Sequence, residues 1–315
     1  MARTEILKTY KIYIGGAFPR TESGRYYPLK NGNQLIANMC LSSRKDFRNA
    51  VVAARAAFAG WSSKSAFNRS QILYRIAELM EGRKMQFILE LQQQGQTAAA
   101  AKLEVDTAID RWVYYAGWCD KYQQLFSSVN PVSSPHFNFS VYEPTGVVAV
   151  IAPEQSGLLG LVTCLAPIIA GGNTCVVLAS EMMPLCAITL AEVIHASDVP
   201  GGVVNILTGK KEELLTHMAS HMDVNAMLII RGKKTDHAKA AELSAGNVKR
   251  LFCHDESIVK TAENPYLILD FQELKTTGHP IENLGGSGGI NYRFIARSRH
   301  SRAGFPLKLL CPAKK

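Results

Sequence analysis

The apolar residues of the first 126 positions recur mostly with the spacing of α-helices. Residues 10–19 are an exception, because they alternate between apolar and polar side chains and turn at Gly15 and Gly16, which favours a short hairpin. Beyond residue 40, apolar positions return every three or four residues, so one face of each helix can pack into a core. The predicted helices begin at Ser42 or Ser43 as N-cap, run over residues 68–94 with a stop at Gly95, and run over residues 98–125.

After residue 126 the pattern changes to short strands. Residues 127–145 predict a β-hairpin arm. If residues 136–141 are exposed to solvent, they leave an unpaired edge that a partner sheet can complete; the alternative is that the hairpin folds back on its own domain. Short apolar runs then alternate with helical runs, as in a parallel sheet with helices on both faces. No periodicity holds after residue 259. The strands and helices predicted in this half occupy, in turn, residues 147–151, 158–170, 174–178, 187–196 and 203–207.

These changes divide the chain into four predicted parts, none of which repeats another. The parts are an N-terminal helical and strand part (1–126), a β-hairpin arm (127–145), a Rossmann-like domain (146–259) and an irregular basic tail (260–315).

The composition is that of a globular protein, with 47% hydrophobic and 19% charged residues among 315. The formal net charge of +9 lies mostly in the tail: residues 283–315 hold seven basic side chains and no acid, which leaves +2 (9 minus 7) for the first 282 residues. The seven cysteines form no CxxC pair and no Cys/His cluster at zinc spacing, so we predict reduced thiols and no metal site. The N-terminal segment lacks the apolar core of a signal peptide, and no uninterrupted apolar run reaches about 20 residues. We therefore expect a cytoplasmic protein without a membrane span.

Seven segments follow one another in a recognisable order. They are IYIGGAF (12–18), VVAARAAFAGW (51–61), YYAGWCDK (114–121), EPTGVVAVIAP (143–153), AGGNTCVV (170–177), PGGVVNILTG (200–209) and NVKRL (247–251). On these segments, from about residue 10 to 254, the chain resembles the aldehyde dehydrogenase superfamily. The resemblance implies an α/β fold with a Rossmann-type parallel sheet, helices on both faces and a β-hairpin oligomerisation arm. The third region of that family, which carries the nucleophilic cysteine, has no counterpart in this sequence.

The positions that hold reactive groups in that family are occupied by other residues here. The resemblance implies a cysteine thiolate that attacks the aldehyde, an asparagine amide that stabilises the oxyanion, and a glutamate that activates water. The asparagine position is Gln155, preceded by Glu154, whose negative charge opposes an oxyanion, and the glutamate position is His254. Cys253 and His254 are neighbours on a predicted strand, so their side chains point to opposite faces and cannot form a nucleophile–base pair. We treat Gln155 and His254 as degenerate positions and predict no catalytic residue.

The positions that hold the cofactor in that family differ as well. Where the resemblance implies a lysine and a glutamate for the adenosine ribose, this chain has Leu178 and Glu181. Glu181 is then a vestigial ribose contact, or simply an exposed glutamate in a polar turn. Arg231 replaces a glycine of the phosphate turn, although Arg231, Lys233 and Lys234 can attract an anion by charge. We predict no cofactor, with NAD or NADP binding weak or absent.

Three functions follow from these observations. The first is a catalytically inactive aldehyde-dehydrogenase-like module with a structural or assembly role, as a homo-oligomer or docked on an active module through residues 127–145. The second is an NAD(P)-dependent aldehyde dehydrogenase that is active only with a partner module. The third is binding of anions or nucleic acid by the basic tail, although we expect no nucleic-acid partner because the tail lacks interleaved aromatic residues.

Within the superfamily, the chain most resembles the second, non-catalytic module of aldehyde dehydrogenase family 16. The segments that carry this closer resemblance are LELQQQGQTAAAAKLEV (89–105) and SAGN (244–247). Whether a catalytic module lies upstream in the natural protein is left open.

Overall fold

The computed structural model describes residues 8–230, 233–261 and 263–281, which form two compact units. One unit contains residues 8–128 and 140–276, and the other contains residues 129–139 and 277–281. The helices are α1 (Arg44–Ser62), α2 (Ala66–Gly82), α3 (Lys84–Gln93), α4 (Ala98–Trp118), α5 (Tyr122–Phe126), α6 (Leu159–Ala170), α7 (Leu185–His195), α8 (Lys211–Ser220), α9 (Lys234–Ser244), α10 (Ile258–Thr261) and α11 (Tyr266–Leu269). The strands are β1 (Tyr26–Asn31), β2 (Gln34–Cys40), β3 (Ser128–Asn130), β4 (His136–Pro144), β5 (Val147–Ile151), β6 (Thr174–Leu178), β7 (Val204–Leu207), β8 (Ala226–Ile230), β9 (Arg250–His254) and β10 (Gln272–Pro280).

Strands β5 to β9 form one parallel sheet in the order β7-β6-β5-β8-β9, which confirms the predicted Rossmann-type α/β fold. Alternate residues of β5 belong to two separate cores: Val148 and Val150 pack with α6, whereas Val147, Ala149 and Ile151 pack with α1 and α8. Burial on both faces explains why this strand is a continuous apolar run. The strand order reverses between β5 and β8, and in open α/β sheets ligands bind outside the carboxyl ends of the strands at such a point.

The predicted helices form, with two interruptions. The N-cap of α1 is Ser43, whose hydroxyl accepts from the backbone of Asp46 at 3.3 Å while the Asp46 carboxylate accepts from Ser43 N at 2.8 Å. The helix predicted over 68–94 is two helices, α2 and α3, which separate at Arg83, directly after a glycine with poor helix propensity. The helix predicted over 98–125 is likewise divided into α4 and α5. Among the described residues, no helix combines the length and apolar character that a membrane crossing needs.

A second sheet has the strand order β10-β4-β3, and it corrects two predictions. The chain is not irregular throughout from residue 260 onward, because α10, α11 and β10 form there, and β4 is not an unpaired strand, because β10 lies on one side of it and the three-residue strand β3 on the other. Most residues of β10 are exposed, so its sequence has no alternation of apolar and polar residues from which the strand could be predicted. Polar contacts help to hold it, such as the 2.8 Å hydrogen bond between Ser140 Oγ and Thr276 Oγ1. The basic residues beyond 281 lie outside the described residues.

Helix α6 is buried along all but its first residue. Because water cannot reach it, its terminal backbone groups need protein partners. At the carboxyl end, Trp61 Nε1 and Arg69 Nε donate to carbonyl groups of the last turn at 3.1 and 3.2 Å. At the amino end, Glu104 Oε1 accepts from the N–H groups of Leu158 and Leu159 at 2.9 and 3.0 Å.

Candidate functional site

A cleft of about 650 Å³ opens at the carboxyl ends of the central strands. Its apolar wall includes Tyr27 and Leu29 of β1 and the last residues of β5 and β8, Ile151 and Ile230. Its charged lining residues are Lys30, Glu154, Glu181, Lys211, Glu212 and Lys233. Because the cleft lies where the strand order reverses, it is the candidate ligand site of this fold.

Glu154 ties the loop after β5 to the loop after β6. Its Oε2 atom accepts from the Ser180 hydroxyl at 2.9 Å, from Glu181 N at 2.9 Å and from Met182 N at 3.2 Å. The backbone N–H of Glu154 donates to Glu256 Oε1 at 3.2 Å. The carboxylate therefore satisfies the donors of a turn and also places a negative charge in the wall of the cleft.

Gln155, which aligns with the oxyanion asparagine, is exposed in the same loop and does not line the cleft. The next residue, Ser156, donates from its hydroxyl to Glu104 Oε1 at 2.9 Å and accepts from Gly160 N at 2.8 Å. The loop is thus organised around the start of helix α6, and it does not aim the Gln155 amide at a substrate in the cleft.

Glu181, the predicted vestigial ribose contact, does line the cleft. Partial burial raises the pKa of its carboxyl group, Lys210 acts in the opposite direction, and the carboxylates of Glu154 and Glu212 reinforce the increase. Leu178, at the position of the ribose lysine, is buried in β6 and contributes no side chain to the cleft. Of these two positions, Glu181 therefore lines the cleft and Leu178 does not.

Lys211 and Lys233 provide part of the basic lining. Lys211 Nζ lies 2.8 Å from Asp236 Oδ2, and this hydrogen bond lowers the pKa of Asp236. The side chain of Lys233 is exposed. Arg231, at the predicted phosphate turn, lies outside the described residues.

Cys253 and His254 end strand β9, and neither lines the cleft. His254 Nε2 lies 3.8 Å from Asp270 Oδ2. Burial raises the pKa of Asp270, and the neighbouring His254 acts against this increase. Cys253 is exposed, and partial desolvation raises the pKa of its thiol, which disfavours the reactive thiolate. These two side chains do not form an activated nucleophile.

The remaining reactive groups give no second centre. Within the described part of the chain, no three or more His, Cys, Asp or Glu side chains are grouped as metal ligands. Cys164, Cys175 and Cys186 are buried, which raises the pKa of each thiol above its ordinary value.

Sequence reasoning missed the structural role of two carboxylates, Glu104 and Glu154. Ser156, four residues before Gly160, is a local sign of a helix start. No local pattern reveals the partner in α4 that completes this start, because Glu104 is distant in sequence.

Residues 22–258 of the chain match the sequence model of the protein family described as "Aldehyde dehydrogenase family". The Bacillus subtilis (strain 168) protein named aldehyde dehydrogenase DhaS is 32% identical over 249 residues, which cover 77% of this chain and 50% of that protein. The cytosolic 10-formyltetrahydrofolate dehydrogenase of Mus musculus is 30% identical over 250 residues, 77% of this chain and 28% of that protein. Aldehyde dehydrogenase C of Pseudomonas syringae, solved with NAD+ and octanal, superposes with a TM-score of 0.73 at 31% identity, over 78% of this chain and 50% of that one. The chain spans about half the length of these relatives, or less.

Proposed function

Since this chain belongs to the aldehyde dehydrogenase family, we propose that it is a catalytically inactive member that acts as a structural module in an assembly. The observation that carries this proposal is that Gln155, Cys253 and His254 do not converge on the cleft, since none of them lines it. Cys253 is exposed, partial desolvation raises the pKa of its thiol whereas attack on an aldehyde needs a thiolate, and His254 lies beside Asp270. The Gln155 amide is exposed on a different loop. Groups that act as a unit lose catalysis when they do not converge.

The test is oxidation of short-chain and aromatic aldehydes by the purified chain with NAD or NADP, followed by NADH or NADPH absorbance. We expect no rate above the blank, with a catalytic relative as positive control. Turnover that is abolished by Cys253→Ala and retained in Cys40→Ala would refute the inactive assignment. Cys40 is the control because, among the cysteines of the described residues, it is the one besides Cys253 that is not buried.

We also infer that NAD or NADP binds weakly or not at all. The residues of the cleft do not fit a dinucleotide diphosphate, because Glu154 already occupies the N–H groups of Glu181 and Met182. No step of the proposed function therefore involves a nicotinamide cofactor.

The assembly role is assigned to the arm, residues 127–145, either between copies of this chain or on an active module. Val129, Val132 and Phe137 support it, because their side chains are 64%, 44% and 40% exposed in one short segment. We expect a Val129→Lys/Phe137→Lys variant to shift sedimentation towards the monomer. Val52→Lys is the control, since Val52 is 60% exposed on α1. A wild-type chain that is monomeric and binds no active module would overturn the role.

A second candidate function is NAD(P)-dependent aldehyde oxidation that requires a partner's catalytic module. The cleft at the reversal of the strand order, lined by Glu181, favours it. Adding the chain to a catalytic family module should raise kcat under this second function and leave kcat unchanged under the first. A cytoplasmic location, the closeness to family 16 and anion or nucleic-acid binding by residues 283–315 stay predictions.

A further inference from the structure

We propose that Glu154 is the specificity-determining group of the cleft: an internal carboxylate that excludes phosphate-bearing ligands. The inference rests on the proposed function and deepens it, because it identifies the feature of a dinucleotide that the cleft rejects. It is carried by the hydrogen bonds at the carboxyl edge of the sheet and by the charges that line the cleft.

The first step concerns the N–H groups that an anionic ligand would need. Glu154 Oε2 accepts from Glu181 N at 2.9 Å and from Met182 N at 3.2 Å. The next N–H, that of Met183, donates to Ser180 Oγ at 2.9 Å. Free N–H groups in such a turn commonly bind phosphate. Here all three already have acceptors within the protein.

The same holds at the two helices that begin at this edge. Leu185 N, at the start of α7, donates to Gln94 Oε1 at 3.2 Å. Leu158 N and Leu159 N, at the start of α6, donate to Glu104 Oε1. The positive ends of both helices are therefore directed at internal oxygen atoms.

The second step concerns charge. A carboxylate in the wall of a cleft repels a phosphate, and the repulsion is larger than in bulk water because the site is partly buried. Lys211 cannot compensate fully, since it is paired with Asp236 at 2.8 Å. The other basic lining residues, Lys30 and Lys233, are exposed. The part of a ligand that meets Glu154 is thus uncharged or cationic.

The experiment measures binding of ADP, which carries the diphosphate of a nicotinamide dinucleotide, by titration calorimetry. We expect a wild-type Kd weaker than about 1 mM and a Kd about tenfold tighter for Glu154→Gln. Glutamine keeps an oxygen acceptor for the turn while it removes the charge. Glu154→Ser is measured in parallel as a second variant, in case Glu154→Gln does not fold. The smaller serine leaves room for water to accept from the N–H groups that the carboxylate binds in the wild type.

The matched control is Glu242→Gln, which removes one negative charge from an exposed position of α9 that does not line the cleft and is expected to change the Kd by less than about twofold. Wild-type binding of ADP in the micromolar range would overturn the inference. So would equal changes for Glu154→Gln and Glu242→Gln, or no gain in either Glu154 variant. Aldehyde turnover by the wild-type chain would refute the proposed function in a separate assay and would leave this comparison intact.

Discussion

Replacing Glu104 by alanine should destabilise the protein through helix α6. Glu104 Oε1 accepts three hydrogen bonds, from Ser156 Oγ at 2.9 Å, Leu158 N at 2.9 Å and Leu159 N at 3.0 Å. Alanine removes the acceptor of all three. Since the helix that follows is almost entirely buried, water cannot easily take the place of the carboxylate.

The magnitude follows from the number and kind of bonds lost. A hydrogen bond to a charged group contributes about 1.5–3 kcal/mol, and a buried donor without a partner costs about 1–3 kcal/mol. Bonds that share one oxygen are not additive, so we expect the free energy of unfolding to fall by about 3 kcal/mol in Glu104→Ala. Glu104→Gln keeps an acceptor and loses the charge at the positive end of the helix, which should cost about 1 kcal/mol.

Urea denaturation followed by circular dichroism measures both losses. The control is Glu242→Ala, an exposed glutamate on α9, for which we expect a change within about 0.5 kcal/mol. The expected order of destabilisation is alanine at position 104, then glutamine at 104, then the control. If Glu104→Ala were as stable as the control, the claim that the buried helix depends on this carboxylate would be wrong.

Three further predictions concern a buried amine, a glycine and a thiol. Burial lowers the pKa of Lys249 to about 8, so the unfolded state binds more protons between about pH 8 and 10.5 and stability rises with pH. The free energy of unfolding of the wild type, measured in urea relative to that of Lys249→Met, should therefore rise by about 2 kcal/mol from pH 7 to 9.5. A difference that does not depend on pH would contradict this. Gly202→Ala should cost about 3 kcal/mol in urea unfolding, because φ is +95° and a Cβ would lie 2.5 Å from the Ala53 carbonyl oxygen. Gly24→Ala, with φ +67° and no atom within 4 Å, should cost about 1 kcal/mol, and equal losses would refute the steric argument. Cys253 should react with a chromogenic disulfide more slowly than free cysteine at pH 7.5, because the pKa of its thiol is raised. The phase that belongs to Cys253 is the slow one that is lost in Cys253→Ser. A reaction faster than that of free cysteine would mean an activated thiol.

The parallel sheet could be predicted closely because its strands carry their own signal. The sequence predicts strands over residues 147–151 and 174–178, and β5 and β6 have these bounds. A strand buried on both faces must be a continuous apolar run, and turn residues bound each run. β10 has no such signal: it is mostly exposed, and it is stabilised by pairing with β4, a contact between residues far apart in sequence.

The candidate site was predictable in its position and less so in its chemistry. The sequence pattern indicates which loops follow the strands, and Glu181 does line the cleft. It does not indicate that Glu154 turns back to bind the next loop, because that contact depends on the distance between two loops in the folded protein. Gln155 takes the position of the oxyanion asparagine in the resemblance, and it is exposed in a loop whose entry into α6 is held by Ser156 and Glu104.

The two carboxylates also satisfy backbone donors at the edge of the cleft from within the protein. In parallel α/β sheets, N–H groups at the carboxyl edge are unsatisfied within the loops and helices that begin there, and anions commonly bind them. Glu104 satisfies them at α6, and Glu154 satisfies them in the turn after β6. A donor with an internal acceptor loses little when no ligand is bound, so the edge is stable by itself. Under our proposal, the same bonds that stabilise this edge weaken it as an anion site, which is the combination expected of a structural module.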